Sequence, residues 1–266
     1  MNSGQLLLLL LLISVLISGA FSQTLPEYVN SVPPLDPIIT TNRKILRDDD
    51  LIYCRSWSFT VEANDANPWK QVPARCGEFV KQYFAGEQYF SDLNFVTDEA
   101  LGFASKVEIV GDGKDVWIFD IDETLLTNLP YYADHGFGME KFDDATFNGW
   151  VGLSECPVLP ASLKLYKELK RLGFKIVLLT GRDESQRNYT VKNLVLAGYE
   201  DWERLLLRGP EDHGTTAVTY KSKKRRELEA EGFRIHGNSG DQWSDLYGSP
   251  MATRSFKLPN PMYFIS

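Results

Sequence analysis

Four apolar residues, Val116-Trp117-Ile118-Phe119, run directly into Asp120-Ile121-Asp122-Glu123-Thr124. A short β-branched and aromatic run of this kind reads as a strand buried on both faces. The two aspartates that follow at i and i+2 would point the same way in extended backbone, at the strand's C-terminal end. Open α/β sheets bind their ligands there. Two like charges this close to a greasy strand are costly unless a cation or a shared proton relieves them. An acidic loop that merely follows a strand is the bland alternative, and the rest of the chain weighs against it.

The chain has 266 residues, 43% of them hydrophobic and 24% charged. That is room for one large domain, or a core with a smaller cap, of ordinary globular composition. The net charge is −8 and no long Lys/Arg stripe occurs, which argues against nucleic acid as a partner. Residues 6–12 are all leucine, Ile13 to Ile17 extend the run, and Ser18, Gly19, Ala20 and Ser22 follow. The layout is that of a secretory signal peptide, too short for a comfortable membrane span, although no Lys or Arg precedes it. A signal anchor is the alternative. Cleavage after Ala20 or Ser22 would send the rest to a secreted or vacuolar destination, with no membrane contact once the leader is gone. Export permits disulfides. Of the three cysteines, Cys54, Cys76 and Cys156, at least one is unpaired in a monomer. Cys54 with Cys76 is the first pairing to test, since both fall in the N-terminal segment. Asn188-Tyr189-Thr190 is a glycosylation sequon whose use depends on whether it is packed in a helix.

Residues 23–37 hold four prolines and read as an extended arm. From Thr40 to Asp112 the pattern is mostly helical. Leu51, Cys54, Ser58 and Val61 share a face; Phe79, Val80, Tyr83 and Phe84 form a second run stopped by Gly86; Thr97–Val110 is a third. Aromatic residues are dense here and read as core. Residues 129–157, rich in Gly, Asp and aromatics, follow the Asp120 strand and read as a lid or cap. Then βα alternation resumes. Ala161–Leu172 is an expected helix with Leu163, Tyr166, Leu169 and Leu172 inward. Lys175–Leu179 is a buried strand ending at Thr180-Gly181-Arg182. Asp183 would cap a helix running to Gly198. Leu205–Leu207 is a strand, Lys221–Glu231 a helix and Phe233–His236 a fourth strand leading to Gly240–Asp245. Ser255–Leu258 is a last strand. The alternation implies a Rossmann-like α/β fold, a parallel sheet with helices on both faces and a smaller, mainly helical cap. The expected division is a signal peptide at 1–22, an arm and helical segment contributing to the cap at 23–112, and a catalytic core at 113–266 with the cap insertion at about 129–157.

Parallel neighbours would bring three strand ends together: the aspartate pair, Thr180, and the acidic Gly240–Asp245 loop, with Lys221 beginning the helix before the last. Phosphoryl transfer uses this inventory. A carboxylate can attack phosphorus, a second acid can protonate the leaving oxygen, a hard cation can offset the negative charges, and a hydroxyl and a lysine can hold the transferring oxygens.

These motifs resemble the haloacid dehalogenase superfamily. Asp120, Asp122 and Thr124 match its DxDxT motif, Thr180 its second, Lys221 its third, and Gly240-Asp241 through Asp245 its fourth. More narrowly, the chain from about Val32 resembles the plant acid phosphatases and vegetative storage proteins. That match is carried by Phe119–Thr124, Tyr220-Lys221-Ser222 and Gly237–Asp245. The resemblance implies Asp120 as nucleophile and Mg²⁺ ligand, and Asp122 as general acid/base with its backbone carbonyl on the metal. It implies Asp241 as the remaining protein ligand with Asp245 behind it, and Thr180 and Lys221 on the phosphate. Lys223 and Lys224 compete with Lys221 for the inward position, and Arg182 is read as a turn residue near substrate. The implied activity is Mg²⁺-dependent hydrolysis of small phosphomonoesters, with an acid optimum set by an ionised Asp120 and by an Asp122 whose pKa its neighbours raise. A storage protein without catalysis is the competing class, disfavoured because the nucleophile and its partners are all present. A dehalogenase is disfavoured because Asp122 supplies the acid that ester cleavage needs. Oligomeric state, a homodimer included, stays open.

Overall fold

The computed structural model describes residues 48–66 and 68–266. The expected leader at 1–22 and proline-rich arm at 23–37 lie outside them. Five parallel strands form one sheet in the order β3-β2-β1-β4-β5, with β1 at Asp115–Phe119, β2 at Lys175–Asp183, β3 at Arg204–Arg208, β4 at Arg234–Gly240 and β5 at Arg254–Lys257. The run that opened the sequence reading is the central strand, and all five of its residues are buried. Its side chains alternate. Trp117 and Phe119 join Leu165, Tyr166, Leu169, Leu178 and Leu194 on one face; Val116 and Ile118 join Val177, Leu179, Tyr220, Leu228 and Ile235 on the other. That period of two, buried both ways, is what a central parallel strand requires.

Helices α1 (Asp48–Glu62), α2 (Gly77–Ala85) and α3 (Glu87–Ala104) precede the sheet. A disulfide joins Cys54 to Cys76, with Cα atoms 5.4 Å apart. The third helix begins ten residues before the expected Thr97 and ends at Ala104, because Tyr89, Leu93, Thr97, Ala100 and Ala104 make one unbroken buried stripe from the break at Gly86. Its small Ala100 and Ala104 lie in the same core as Trp117. The segment between β1 and β2 folds as α4 (Leu129–Asp134), α5 (Asp144–Leu153) and α6 (Pro160–Leu172). On α6 the inward residues are Ala161, Leu165, Tyr166 and Leu169, while the expected Leu163 and Leu172 are only half-buried. A second apolar cluster ties Cys54, Val80, Phe84 and Tyr89 to Tyr131, Tyr132, Leu258 and Met262.

Three further boundaries differ from expectation. The second strand runs on through Thr180 to Asp183, which then caps a short 3₁₀ turn ahead of α7 (Arg187–Leu196) rather than the helix directly. Helix α8 spans Ala217–Ala230 behind a Thr216 cap, so Lys221 sits one turn inside it rather than at its start. Strand β4 reaches Gly240, four residues past His236. Gly237-Asn238-Ser239-Gly240 has poor intrinsic strand propensity, but pairing with both β1 and β5 holds it extended. Helix α9 (Trp243–Leu246) follows it.

Gly237 lies opposite Trp117 in the β1–β4 register. The indole stacks on Phe256 at 5.3 Å and donates from Nε1 to Ser239 Oγ at 3.0 Å. A Cβ at position 237 would meet the Trp117 ring at 2.3 Å. Gly237→Ala is therefore expected to lower stability by about 1–3 kcal/mol in urea unfolding, the usual cost of overpacking. Gly102→Ala, in open space on α3, should leave stability unchanged or raise it by up to about 1 kcal/mol. Equal effects of the two would refute the packing role assigned to Gly237.

Candidate active site

The C-terminal ends of β1, β2 and β4 open into a cavity of about 660 Å³. This is the crevice where chain connections from the central strand diverge to either side, the place where doubly wound sheets bind ligands. Its floor carries Asp120 and Asp122 from the end of β1, Gly181 and Arg182 from β2, Lys221 from α8, and Asp241 and Asp245 beyond β4. Tyr131, Tyr132, Phe142, Phe147 and Tyr263 wall it.

Lys221 is the inward lysine. Its Nζ donates to Asp120 Oδ1 at 2.5 Å and to Asp245 Oδ1 at 2.6 Å, with all three side chains buried. Lys223 and Lys224 instead pair with Asp212. Burial pushes the Asp120 carboxyl well above the usual range, Lys221 opposes it, and the three neighbouring aspartates add to the rise. Asp241 is raised to about 8, by burial first and then by Asp245 and Glu123. Two amides donate to its Oδ2, Gln242 Nε2 at 2.8 Å and Asn260 Nδ2 at 2.7 Å. Thr180 is fully buried, and its Oγ1 accepts the Arg182 N–H at 3.1 Å.

Asp122 departs from expectation. Arg182 donates to it from Nε, at 3.0 Å to Oδ2, and from Nη2, at 2.7 Å to Oδ1, while Asn128 Nδ2 adds a bond at 2.8 Å. Burial works against ionisation here, but the Arg182 charge and these hydrogen bonds outweigh it and hold the carboxyl below its ordinary pKa. The expected upward shift from neighbouring carboxylates is therefore corrected by a cation that sequence reading had placed in a turn. The guanidinium is itself buried and braced by Thr190 Oγ1, which accepts from Nη1 at 3.1 Å.

Two buried polar residues to which sequence reading gave no role lie behind the floor. Asn128 links Asp122 to the α5 helix, since its Oδ1 accepts from Trp150 Nε1 at 2.9 Å. Glu123 has a left-handed backbone, φ 48°, and its fully buried carboxyl, raised to about 7 by burial, accepts from the Asn128 N–H and the Tyr263 hydroxyl. A buried non-glycine residue in that conformation marks strain held by its surroundings. Nothing in the spacing of Asn128 signals its role; Glu123 was visible only as part of the acidic motif. Asn188 stands apart, exposed on α7, and the Cys54–Cys76 bridge lies in the N-terminal helical segment.

The family description HAD superfamily, subfamily IIIB (Acid phosphatase) matches residues 40–266. The chain belongs to this acid phosphatase family. It is 55% identical to Acid phosphatase 1 of Solanum lycopersicum over 90% of this chain and 93% of that protein. It is also 44% identical to the Stem 28 kDa glycoprotein of Glycine max, over 80% of this chain and 84% of that one. Vegetative storage protein 2 of Arabidopsis thaliana is 40% identical, over 80% of each chain. Among solved structures, a Class C acid phosphatase from Bacillus anthracis with tungstate bound superposes with a TM-score of 0.56 at 22% identity, over 71% of this chain and 85% of that one, which shows the shared fold.

Members of this family are associated with a divalent metal, and the donor set here fits one. One carboxylate oxygen from each of Asp120, Asp241 and Asp245 lies within 4.8 Å of the others, all three residues buried. Hard oxygen donors of this kind suit Mg²⁺ rather than a soft metal. Lys221 offsets only part of their charge. Because burial raises the Asp120 and Asp241 pKa values in the folded state, stability falls as pH rises from the ordinary carboxyl range toward those values, where the unfolded chain ionises before the fold does. Lys221→Met removes the one ammonium among them. It is expected to lose about 3 kcal/mol or more at pH 7, as when one partner of a buried pair is removed. The loss should shrink at pH 5, where holding the buried carboxyls protonated costs less relative to the unfolded chain. A larger loss at pH 5 than at pH 7, by thermal melts, would refute this account.

Proposed function

We propose that the protein is a Mg²⁺-dependent acid phosphatase that hydrolyses small phosphate monoesters through a phosphoaspartyl intermediate on Asp120. The observation that carries this reading is Asp120 itself: a buried carboxylate at the exit of the central strand, held by Lys221, facing a cavity that also presents the Asp122–Arg182 pair. An Asp120 oxygen attacks phosphorus and the ester P–O bond breaks. The departing alkoxide takes a proton from Asp122. Water then attacks the acyl phosphate, Asp122 takes the water's proton, and phosphate leaves with Asp120 restored. The Lys221 ammonium holds the nucleophile and meets the phosphoryl oxygens, with Thr180 supporting the same groups from β2. Asp120, Asp241 and the Asp122 carbonyl would hold Mg²⁺, with Asp245 beside them. The ion supplies charge neutralisation for the transferring phosphoryl group. The walls from 129–157, with the N-terminal helices, act as the cap that admits small esters. The leader at 1–22 directs export to the cell exterior or the vacuole, and Asn188 carries a glycan there. Among the described residues no helix is long and apolar enough to cross a membrane.

Purified protein should hydrolyse an aryl phosphate with Mg²⁺ present, lose that activity in excess chelator and regain it when Mg²⁺ is returned. Asp120→Asn should lower turnover on the order of a thousandfold or more with little change in melting temperature. The similarity to vegetative storage proteins favours a second reading, amino-acid storage without catalysis. No hydrolysis by the Mg²⁺-loaded parent protein would select that reading.

The Asp122–Arg182 pair adds a pH prediction. Asp122 must carry a proton to release the alcohol, and Arg182 lowers its pKa, so activity should fall as pH rises out of the acidic range. Removing the cation raises that pKa. In Arg182→Met the falling limb should move to higher pH by roughly one unit or more, whatever happens to the maximum rate. Because the carboxylates are coupled, the limb belongs to the group rather than to Asp122 alone. A limb that stays in place would mean that another group supplies the proton.

A further inference from the structure

The last residues of the chain wrap the acidic floor. Leu258 N–H donates to Gly240 O at 2.9 Å, Ile265 N–H to Gln242 Oε1 at 3.0 Å, and the Tyr263 hydroxyl to Glu123. Asn260, 2% exposed between two prolines, gives its Nδ2 to Asp241 Oδ2 at 2.7 Å, and its Oδ1 accepts Met262 N–H at 2.9 Å. Its own N–H is held by Glu62 Oε1 at 2.8 Å, and the other Glu62 oxygen pairs with Lys257 at 2.7 Å. Glu62 ends α1 and is anchored again by Trp243 Nε1, which donates to its backbone oxygen at 2.8 Å.

We propose that this C-terminal strap, residues 258–265, is a positioning element for the cation site, and that Asn260 is the residue through which it acts. The inference rests on the reading of Asp241 as a metal ligand. Asn260 and Gln242 both load Oδ2, while among the described residues Oδ1 receives only a long 3.4 Å contact from Thr124 Oγ1. The carboxylate is thus turned about its side-chain bond so that one oxygen is committed to protein amides and the other is left for a cation. A carboxylate fixed this way loses no rotamer freedom when the ion arrives. Outer-sphere hydrogen bonds of this type commonly change metal affinity 10- to 100-fold. The strap reaches both ligand-bearing loops, and Glu62 ties it to the disulfide-clamped helix.

The test is calorimetric titration of Mg²⁺ alone into the full chain, with melting temperature measured alongside. Asn260→Leu should weaken Mg²⁺ binding about tenfold or more, with turnover largely recovered at saturating Mg²⁺. Tyr263→Phe cuts the strap's bond to Glu123 but spares Asn260, and should keep the parent's Mg²⁺ affinity. Should Asn260→Leu fail to fold, Asn260→Ser, too short to reach Asp241, carries the same comparison. A drop in melting temperature with unchanged Mg²⁺ affinity would reduce the strap to packing and overturn the proposal. Asp241→Asn separates the two levels of inference. If it binds Mg²⁺ as the parent does, the cation-site reading has failed. If it loses the ion while the Asn260 variants keep parental affinity, only the strap's role has failed.

Discussion

One ammonium group stands among three buried carboxylates, and the architecture of the site follows from that imbalance. Lys221 neutralises Asp120 and Asp245 in part, and Asp241 lies within reach of both. With all three aspartates ionised, two formal negative charges remain, which is the charge of one divalent cation. Without it, the cheaper state for a buried site is to take up protons, and the raised Asp120 and Asp241 pKa values are that response. Such a cluster does not stabilise a fold; replacing it with apolar residues of similar volume often would. Its presence at the exit of the best-buried strand is therefore better explained by what it binds than by what it holds together.

The surroundings spend polar contacts on orientation. Arg182 fixes Asp122, Thr190 fixes Arg182, and Asn128 ties Asp122 to Trp150 on α5. Asn260 and Gln242 fix Asp241. Each charged group thus reaches the cavity with its geometry already decided, so little reorganisation accompanies substrate arrival. Movement of α5 against the core would be felt at Asp122 through the single Asn128 side chain, since that amide also bonds Trp150 on α5.

The sheet, its parallel order and the meeting of Asp120, Lys221, Asp241 and Asp245 were legible because each rests on a local pattern: a buried run, a turn residue, a motif at a strand's end. Boundaries were less legible where tertiary pairing overrides propensity. Gly237–Gly240 looks like a loop and is a strand because β1 and β5 flank it. Arg182 followed Gly181 as a turn residue would, and nothing local announces that its guanidinium turns back across the crevice to Asp122, sixty positions earlier. Asn260 is further still from legibility. It lies in a proline-flanked tail with no period, and its partner becomes visible only once the tail has folded over the β4 end.

The sequon shows the same limit from the other side. Thr190 would be needed to glycosylate Asn188, yet it is fully buried and its hydroxyl accepts from Arg182. Replacing it with an apolar residue would leave one guanidinium donor unpaired inside the protein and loosen the cation that sets the Asp122 charge. A threonine at 190 therefore has a reason to be there whether or not a glycan is ever attached. Asn188 has no such second reason, since it is exposed on the first turn of α7. In the folded protein the threonine braces Arg182, whatever its part in attaching a glycan to Asn188.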